Sequence, residues 1–570
     1  MHDQRNLLLA ILFSVAILFA FQALFPPPAP PPEEDAPAAI DAGSDVPVPQ
    51  GVPGGAVPEV VETVDTGPRL PVGGRAGDRL SGSIALEGGR IDDLVLTGYR
   101  ETLDADSPDI SLFSPAGSAH PYYAEFGWTG GDPETAALVP PPDARWQASR
   151  NALTSDSPVT LVWDDGGPLR FERTIALDAD YMFTVTQSVV NRGSAALTLF
   201  PYGLVSRTDE PDTLGFFILH EGPLGVFDGT LEEIDYSDLR DGQAVEHAST
   251  GGWIGITDKY WLAALIPDQS LEALNRFHYA KRGGREKFQV DFLLPAVTVA
   301  PGQRAEVTNR LFAGAKEVTL LDRYRDELGI PRFDLAVDFG WFYFLTKPFF
   351  YVLNAFYGWL GNFGLAILLF TVLVRIVFFP LANKSFKAMR KLKDLQPKMM
   401  ALREKFGEDR QKMNQEVMAL YKREKANPMA GCLPILVQIP VFFALYKVLF
   451  VSIEMRQAPF YGWIHDLSER DPTSLFNLFG LLPFTPPEFL GIGVWPLLMG
   501  LTMFLQQKIN PAPPDPIHAK HLVILPIVFT FLFATFPAGL VIYWTWNNIL
   551  SIAQQWVIMR RADKAQPAPT

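Results

Sequence analysis

Gly361–Leu381 reads GNFGLAILLFTVLVRIVFFPL. No charge interrupts it until Arg375, which stands between apolar neighbours on both sides. A run of this length crosses a bilayer as a helix. An arginine in the hydrocarbon costs about 2.5–3.5 kcal/mol even on a lenient insertion scale, so Arg375 is expected to face protein or water. A second reading stays open. Arg375 lies five residues before Pro380, roughly 7 Å of helix, within reach of a snorkelling side chain.

Working outward, further apolar runs follow. The expected spans are 362–381, 431–451, 491–507, 522–536 and 540–559, the last two separated by Pro537-Ala538-Gly539. A segment at 333–361, dense in Phe, Tyr and Trp but broken by Lys347-Pro348, reads as a helix lying in the membrane interface. Asn6–Phe25 is uncharged and lacks a small-residue cleavage site, so 1–25 is expected to be a retained anchor. That makes six spans. Polar side chains recur within them: Thr371, one helical turn before Arg375, then Gln438, Asn547 and Asn548. They could line one wet cavity, or each could join two helices.

Charge supports the topology. The 570-residue chain holds 63 acidic and 48 basic residues, a net of −15, which taken alone argues against nucleic acid as a partner. The average conceals a split. Residues 26–334 hold 48 acidic and 24 basic side chains, whereas 381–427 hold 13 basic and 6 acidic. With six spans, the basic loop 382–428, the loop 508–521 and the tail 560–570 share the cytoplasmic side with Arg5. The acidic region and the loop 452–490 fall on the other.

Within the basic loop, Phe386, Met389, Leu392, Leu395, Met399, Leu402 and Phe406 repeat at helical spacing. Gly407 is a stop signal, and Met413, Val417 and Leu420 mark a return helix. Lys384, Lys387, Arg390, Lys391, Lys393, Arg403 and Lys405 would form a basic face on this hairpin. It is either a solvated surface obeying the positive-inside rule or a docking site for a ribosome or targeting factor.

Residues 26–79, rich in Pro, Ala, Gly and acids, read as a disordered linker. Residues 80–332 alternate short β-prone runs with turn residues and close on one amphipathic helix, Lys316–Leu328; a β-sandwich is expected. Asn191-Arg192-Gly193-Ser194 reads as a turn between two paired strands. The apolar LFNLFGLLPF stretch after Ser474 has no place in this scheme beyond the outer leaflet.

Catalytic motifs are missing. The sequence contains no G-x-x-x-x-G-K-[ST], G-x-G-x-x-G, H-E-x-x-H or C-x-x-C pattern, and Cys432 is the single cysteine. No cofactor or metal is expected. The cores of the spans hold no acidic residue of the sort that ion-coupled transporters use. That weakens a transporter or channel reading. A membrane-anchored carbohydrate enzyme would need a histidine–carboxylate pair in a cleft; His120, His220, His247 and His278 are its candidates.

Four stretches carry a family resemblance: Gly361–Leu381 itself, LQPKMMALREKFGEDRQKMNQEVMALYKREKANPMAGCLPILVQIPVFFALYKVL, RQAPFYGWIHDLS and FPAGLVIYWTWNNILSIAQQ. With them, and with GGRIDDLVLTGYRETL in the β-rich region, the chain resembles the YidC/Oxa/Alb family of membrane insertases, in the Gram-negative form with a large periplasmic domain. The resemblance implies a polytopic α-helical protein of the inner membrane, five of its spans forming a core around a hydrophilic groove, plus an all-β periplasmic β-supersandwich similar to sugar-epimerase folds. It implies a non-enzymatic insertase and chaperone for nascent membrane proteins, acting alone or with the Sec translocon. Arg375 matches the groove arginine, and Thr371 and Gln438 match polar groove positions. Phe442 and Trp544, with Tyr543 beside it, match positions that substrates touch. Trp544 stands where many relatives carry Tyr. The short tail after Arg561 makes a ribosome contact there doubtful, which leaves the hairpin as the candidate.

Overall fold

The computed structural model describes residues 67–563 apart from 214–218, 243–244, 283, 407–408, 425, 427–432, 483, 485, 488–490 and 510–515. The anchor 1–25, residues 26–66 of the linker, Gly407 and Cys432 lie outside the described residues.

Among the described residues, nineteen strands form two antiparallel sheets. The first runs β1 (Arg69–Gly73), β2 (Leu80–Ala85), β3 (Ile91–Arg100), β5 (Tyr122–Gly130), β10 (Leu197–Thr208), β17 (Arg285–Leu293), β16 (Glu272–Arg282) and β13 (Val245–Thr250). The second centres on β15 (Trp261–Ile266), β19 (Arg304–Ala315), β9 (Met182–Asn191) and β8 (Leu169–Leu177). Alternation explains the layering: in LRFERTIAL of β8 every second residue is buried. This is the expected sandwich.

Two expectations are corrected. The β domain starts before residue 80, because Arg69–Gly73 pairs with β2 inside the stretch read as linker. Its Pro and Gly content masked an edge strand, a sheet position that tolerates proline. The turn at Asn191 does not join paired strands either. β9 pairs with β8 and β19, whereas β10 pairs with β5, β17 and β18 (Val297–Val299). Asn191 is buried at this crossover, its amide bonded to Ala195 O and Val299 O at 2.8 Å and its Oδ1 accepting from Gly193 N at 2.9 Å. An Asx turn that bends the chain from one sheet to the other has the same composition as a hairpin.

The closing helix runs Val318–Leu328 and stops at Gly329, whose φ of 66° is the left-handed cap that glycine favours. The helix Tyr343–Leu360 passes through Lys347-Pro348 unbroken. Pro348 falls in its second turn, so little of the helix precedes the lost bond. The helix Phe363–Val377 is capped by Asn362, whose Oδ1 accepts from Leu365 N at 3.0 Å. It then bends by 67° into Phe379–Phe406. Pro380 explains the break, since its ring would clash with the carbonyl one turn back. The return helix Arg410–Arg423 packs Leu420 against Leu395 and Met399. The further helices of the C-terminal region are Leu433–Val451, Val494–Ile509, Pro516–Phe533 and Ala538–Asp563. Among the described residues no single helix is long and apolar enough to cross a membrane; the bent pair Phe363–Val377 and Phe379–Phe406 reaches that length and apolar composition only when its two helices are joined.

Candidate functional site

Arg375 sits in the last turn of Phe363–Val377, where the helix dipole favours a cation. It is half-buried against the last helix, Ala538–Asp563. Its Nε donates to Asn547 Oδ1 and its Nη2 to Asn547 O, both at 2.9 Å, and Nη2 also donates to Ser551 Oγ. All three acceptors are neutral. Among the described residues no carboxylate forms an ion pair with Arg375. The arginine is therefore oriented but not neutralised.

The last helix builds the other wall by its period. Tyr543, Asn547, Ser551 and Gln555 recur every four residues and so share one face. Ser551 returns its hydroxyl proton to Asn547 O at 2.8 Å. Gln438, from Leu433–Val451, donates to the Tyr543 hydroxyl one turn above Asn547. One polar stripe thus receives Arg375 from one helix and Gln438 from another.

Two expected members stand apart. The Thr371 hydroxyl donates to Ile367 O in its own helix at 2.7 Å and is fully buried. A threonine in an apolar helix satisfies itself this way when no outside acceptor competes. Asn548 is one residue on from Asn547, about 100° around the helix, and its amide reaches Thr502 Oγ1 of Val494–Ile509 at 3.2 Å. It joins two helices instead of meeting Arg375.

The aromatic residues divide similarly. Phe442 and Trp544 meet edge to face at 4.9 Å, and Phe533 completes the group at 5.8 and 5.3 Å. Tyr543 is fully buried and belongs to the polar stripe, not to this surface. Ser551, Phe533 and Thr502 were missed by the sequence reading. Ser551 had a legible signal, one helical turn after Asn547. Phe533 and Thr502 had none, because their partners come from other helices.

On the hairpin, Lys384, Lys387, Lys391, Lys393 and Lys405 are exposed and Arg390 is half-buried. The Arg403 side chain lies outside the described residues. Lys398 ties the two helices through Glu424 at 2.8 Å.

The four candidate histidines of the β domain do not form one site. His120 is exposed near Asp209, His220 donates from Nε2 to Pro223 O at 3.0 Å near Asp235, His247 stacks on Phe227, and His278 lies in β16 opposite Gln289. Among the described residues no group of His, Cys, Asp and Glu could hold a metal ion.

Two family descriptions match the chain: "YidC periplasmic domain" over residues 76–352 and "60Kd inner membrane protein" over residues 355–565. Among curated relatives, the membrane protein insertase YidC of Granulibacter bethesdensis is 51% identical over 582 residues, covering 99% of each chain. That of Methylobacterium nodulans is 48% identical, covering 98% of this chain and 95% of the relative. A solved structure of an active YidC insertase overlays with a TM-score of 0.36 at 18% identity, covering 83% of this chain and 89% of the other.

Proposed function

Because the chain belongs to the YidC family of bacterial inner membrane protein insertases, we propose that it inserts its substrates along the stripe where Arg375 meets Asn547 and Ser551. It is an insertase, and no bond is made or broken in its work. The observation that carries this reading is a single cation held by neutral acceptors alone. Such a site is incomplete electrostatically and attracts a ligand that brings negative charge.

The proposed cycle uses that incompleteness. A substrate's short acidic tail approaches Arg375 from the cytoplasm, in surroundings of lower dielectric than water. Its apolar segment lies along the ring group of Phe442, Phe533 and Trp544. Transfer into lipid then drives release, at about 25 cal/mol per Å² of apolar surface. Gln438 and Tyr543 extend the polar path, and no nucleotide or metal takes part in the scheme.

The finer assignments belong to the same proposal. Six spans, with both termini and the basic hairpin in the cytoplasm and the β domain in the periplasm, follow from the loop charges. The Tyr343–Leu360 helix lies in the outer interface, which its exposed Phe344 and Trp359, with Trp341 just before it, favour. The exposed lysines of the hairpin form the docking face for a ribosome or targeting factor, and the Sec translocon is a partner for larger substrates.

The test is complementation of a strain depleted of its own insertase. The wild-type chain restores insertion of a small protein with an acidic translocated tail. Arg375→Ala fails with that substrate but inserts a variant whose tail is neutral. Equal insertion of both tails by Arg375→Ala overturns the electrostatic role.

A further inference from the structure

The segment Ser474–Phe484, between the polar turn at Asp471 and the helix Val494–Ile509, is arranged in the reverse sense to a water-facing loop. No residue from Ser474 to Pro487 is charged. The described apolar side chains from Leu475 to Phe484 are 41–83% exposed, Leu481 the most. The backbone, by contrast, is bonded inward. Leu478 N reaches Leu475 O at 3.1 Å, Phe479 N reaches Ser474 O at 2.7 Å and Leu482 N reaches Asn477 O at 3.0 Å. Leu481 N and Phe484 N are also held by carbonyls of the segment, Phe476 N by Ser474 Oγ, and the Asn477 amide by Phe484 O. Leu478 and Phe479 take left-handed conformations, φ 51° and 58°, to close this curl. Neither is glycine, so the curl is costly and must be held by its bonds.

Water would solvate free amides but not leucines. Hydrocarbon makes the opposite demand: it accepts the leucines and requires every backbone group to be satisfied within the protein. Position agrees. Asp471 Oδ2 accepts from Trp495 N at 2.9 Å and Thr473 Oγ1 from Val494 N at 3.0 Å, so the segment is rooted on the first turn of a helix. That helix continues the apolar surface through exposed Leu498, Leu501 and Leu505. The charged Glu469 and Arg470 and the exposed rings of Tyr461 and Trp463 stand at the root, as residues at a headgroup boundary do.

We propose that Ser474–Phe484 is a lipid-inserting knob, buried in the acyl region of the outer leaflet beside the start of Val494–Ile509. The occupant of its apolar surface is lipid, since the exposed leucines and rings continue the apolar surface of Val494–Ile509 while the backbone amides are bonded within the segment, the combination hydrocarbon demands. The inference rests on the membrane placement proposed above.

The test uses the full chain with Cys432→Ser in phosphatidylethanolamine–phosphatidylglycerol vesicles. A bimane label is placed on Leu481→Cys or Phe484→Cys. Ile527→Cys, on Pro516–Phe533, serves as a control within a span, and Asp104→Cys, in a loop of the β domain, as a control in water. Nitroxide on the lipid acyl chain should quench the labels at 481 and 484 as strongly as that at 527. Aqueous iodide should quench them severalfold less than the label at 104. If the labels at 481 and 484 respond like that at 104 while 527 stays in lipid, the knob faces water or a protein and the inference is overturned. If 527 also responds like 104, the membrane placement fails and the inference falls with it.

Discussion

Glu454 accepts a hydrogen bond from the backbone N–H of Val318 at 2.9 Å. Val318 opens the helix that closes the β domain, and Glu317 before it gives no side-chain cap. A carboxylate from the loop after Leu433–Val451 therefore caps a helix of the other domain. Other bonds cross nearby: Lys447 to Asp338 at 2.9 Å, Arg456 to Glu101 O at 3.2 Å and Gln457 to Arg100 O at 3.1 Å. The β domain is tied to the helical region by these polar contacts, the Lys447–Asp338 pair half-buried and those of Arg456 and Gln457 at the exposed edge.

The first prediction concerns this cap. Glu454 is half-buried as a residue, but its second oxygen is enclosed and has no partner. Burial pushes its carboxyl up to about 7 from 4.5, the Val318 N–H only partly opposing. A raised carboxyl stabilises the fold below its unfolded value and loses that stability as pH rises through the folded one. The loss between pH 4.5 and 7 is on the order of 3 kcal/mol. Glu454→Gln keeps the acceptor and removes the charge. It should raise the thermal midpoint at pH 8 and leave it nearly unchanged at pH 5. Parallel pH profiles for wild type and variant would contradict this.

A second network lies beside it. Lys347 Nζ contacts Asp322 at 2.7 Å, Asp334 at 2.5 Å and the Tyr343 hydroxyl at 2.8 Å, and both aspartates are buried. Burial alone would raise the Asp334 carboxyl, but Lys347 and Tyr343 hold it below 3.8. Such a group contributes stability at neutral pH that is lost as pH falls through the folded value. Lys347→Met leaves Asp322 and Asp334 with Arg325 as their remaining cation, at 2.8 and 3.4 Å, and should cost up to about 3 kcal/mol, the lower end for breaking a buried pair. Thermal unfolding at neutral pH should show the loss, with acid unfolding moved to higher pH. A variant as stable as wild type would show that Arg325 alone suffices for both aspartates.

These networks show what the sequence could and could not disclose. Apolar runs and a lone arginine disclosed the helical region, because both signals are local. Strand alternation disclosed the sandwich. The partition of strands between sheets was hidden, since Asn191 makes the same local turn whether its strands pair or part. Thr371 was read outward from its place on the Arg375 face, yet its hydroxyl had a nearer acceptor in Ile367 O. Asn547 and Asn548 looked equivalent, and only the azimuth of the last helix separates them. The caps between domains, Glu454 on Val318 above all, join residues more than a hundred positions apart and leave no local pattern.

The third prediction tests the entry of the bent helix. A side chain at Gly364 would begin 1.9 Å from the ring of Phe460, while Asn362 anchors the same turn to Pro459 O at 3.1 Å. Gly364→Val forces that ring aside and should cost about 1–3 kcal/mol through overpacking. A paired change, Gly364→Val with Phe460→Ala, should recover part of the loss. No recovery in detergent unfolding measurements would mean that the contact is not the constraint.

The last prediction turns on the neutrality of the Arg375 acceptors. Asn547→Ala removes Oδ1 but leaves the backbone carbonyl and Ser551 in place, so the arginine keeps two of its three bonds. Insertion of acidic-tailed substrates should weaken only modestly. Asn547→Asp is nearly isosteric but sets a carboxylate 2.9 Å from Nε. The arginine then carries an internal counter-ion, which a substrate's tail must displace. If about 1.4 kcal/mol of attraction is lost, the drop is roughly tenfold. Protease-protection assays on vesicles should therefore rank acidic-tail insertion as wild type, then Asn547→Ala, then Asn547→Asp close to Arg375→Ala. Neutral tails should show no such ranking. Were Asn547→Asp to insert acidic tails as well as wild type, Arg375 would be acting as a hydrogen-bonded strut between helices, with its charge irrelevant to the substrate.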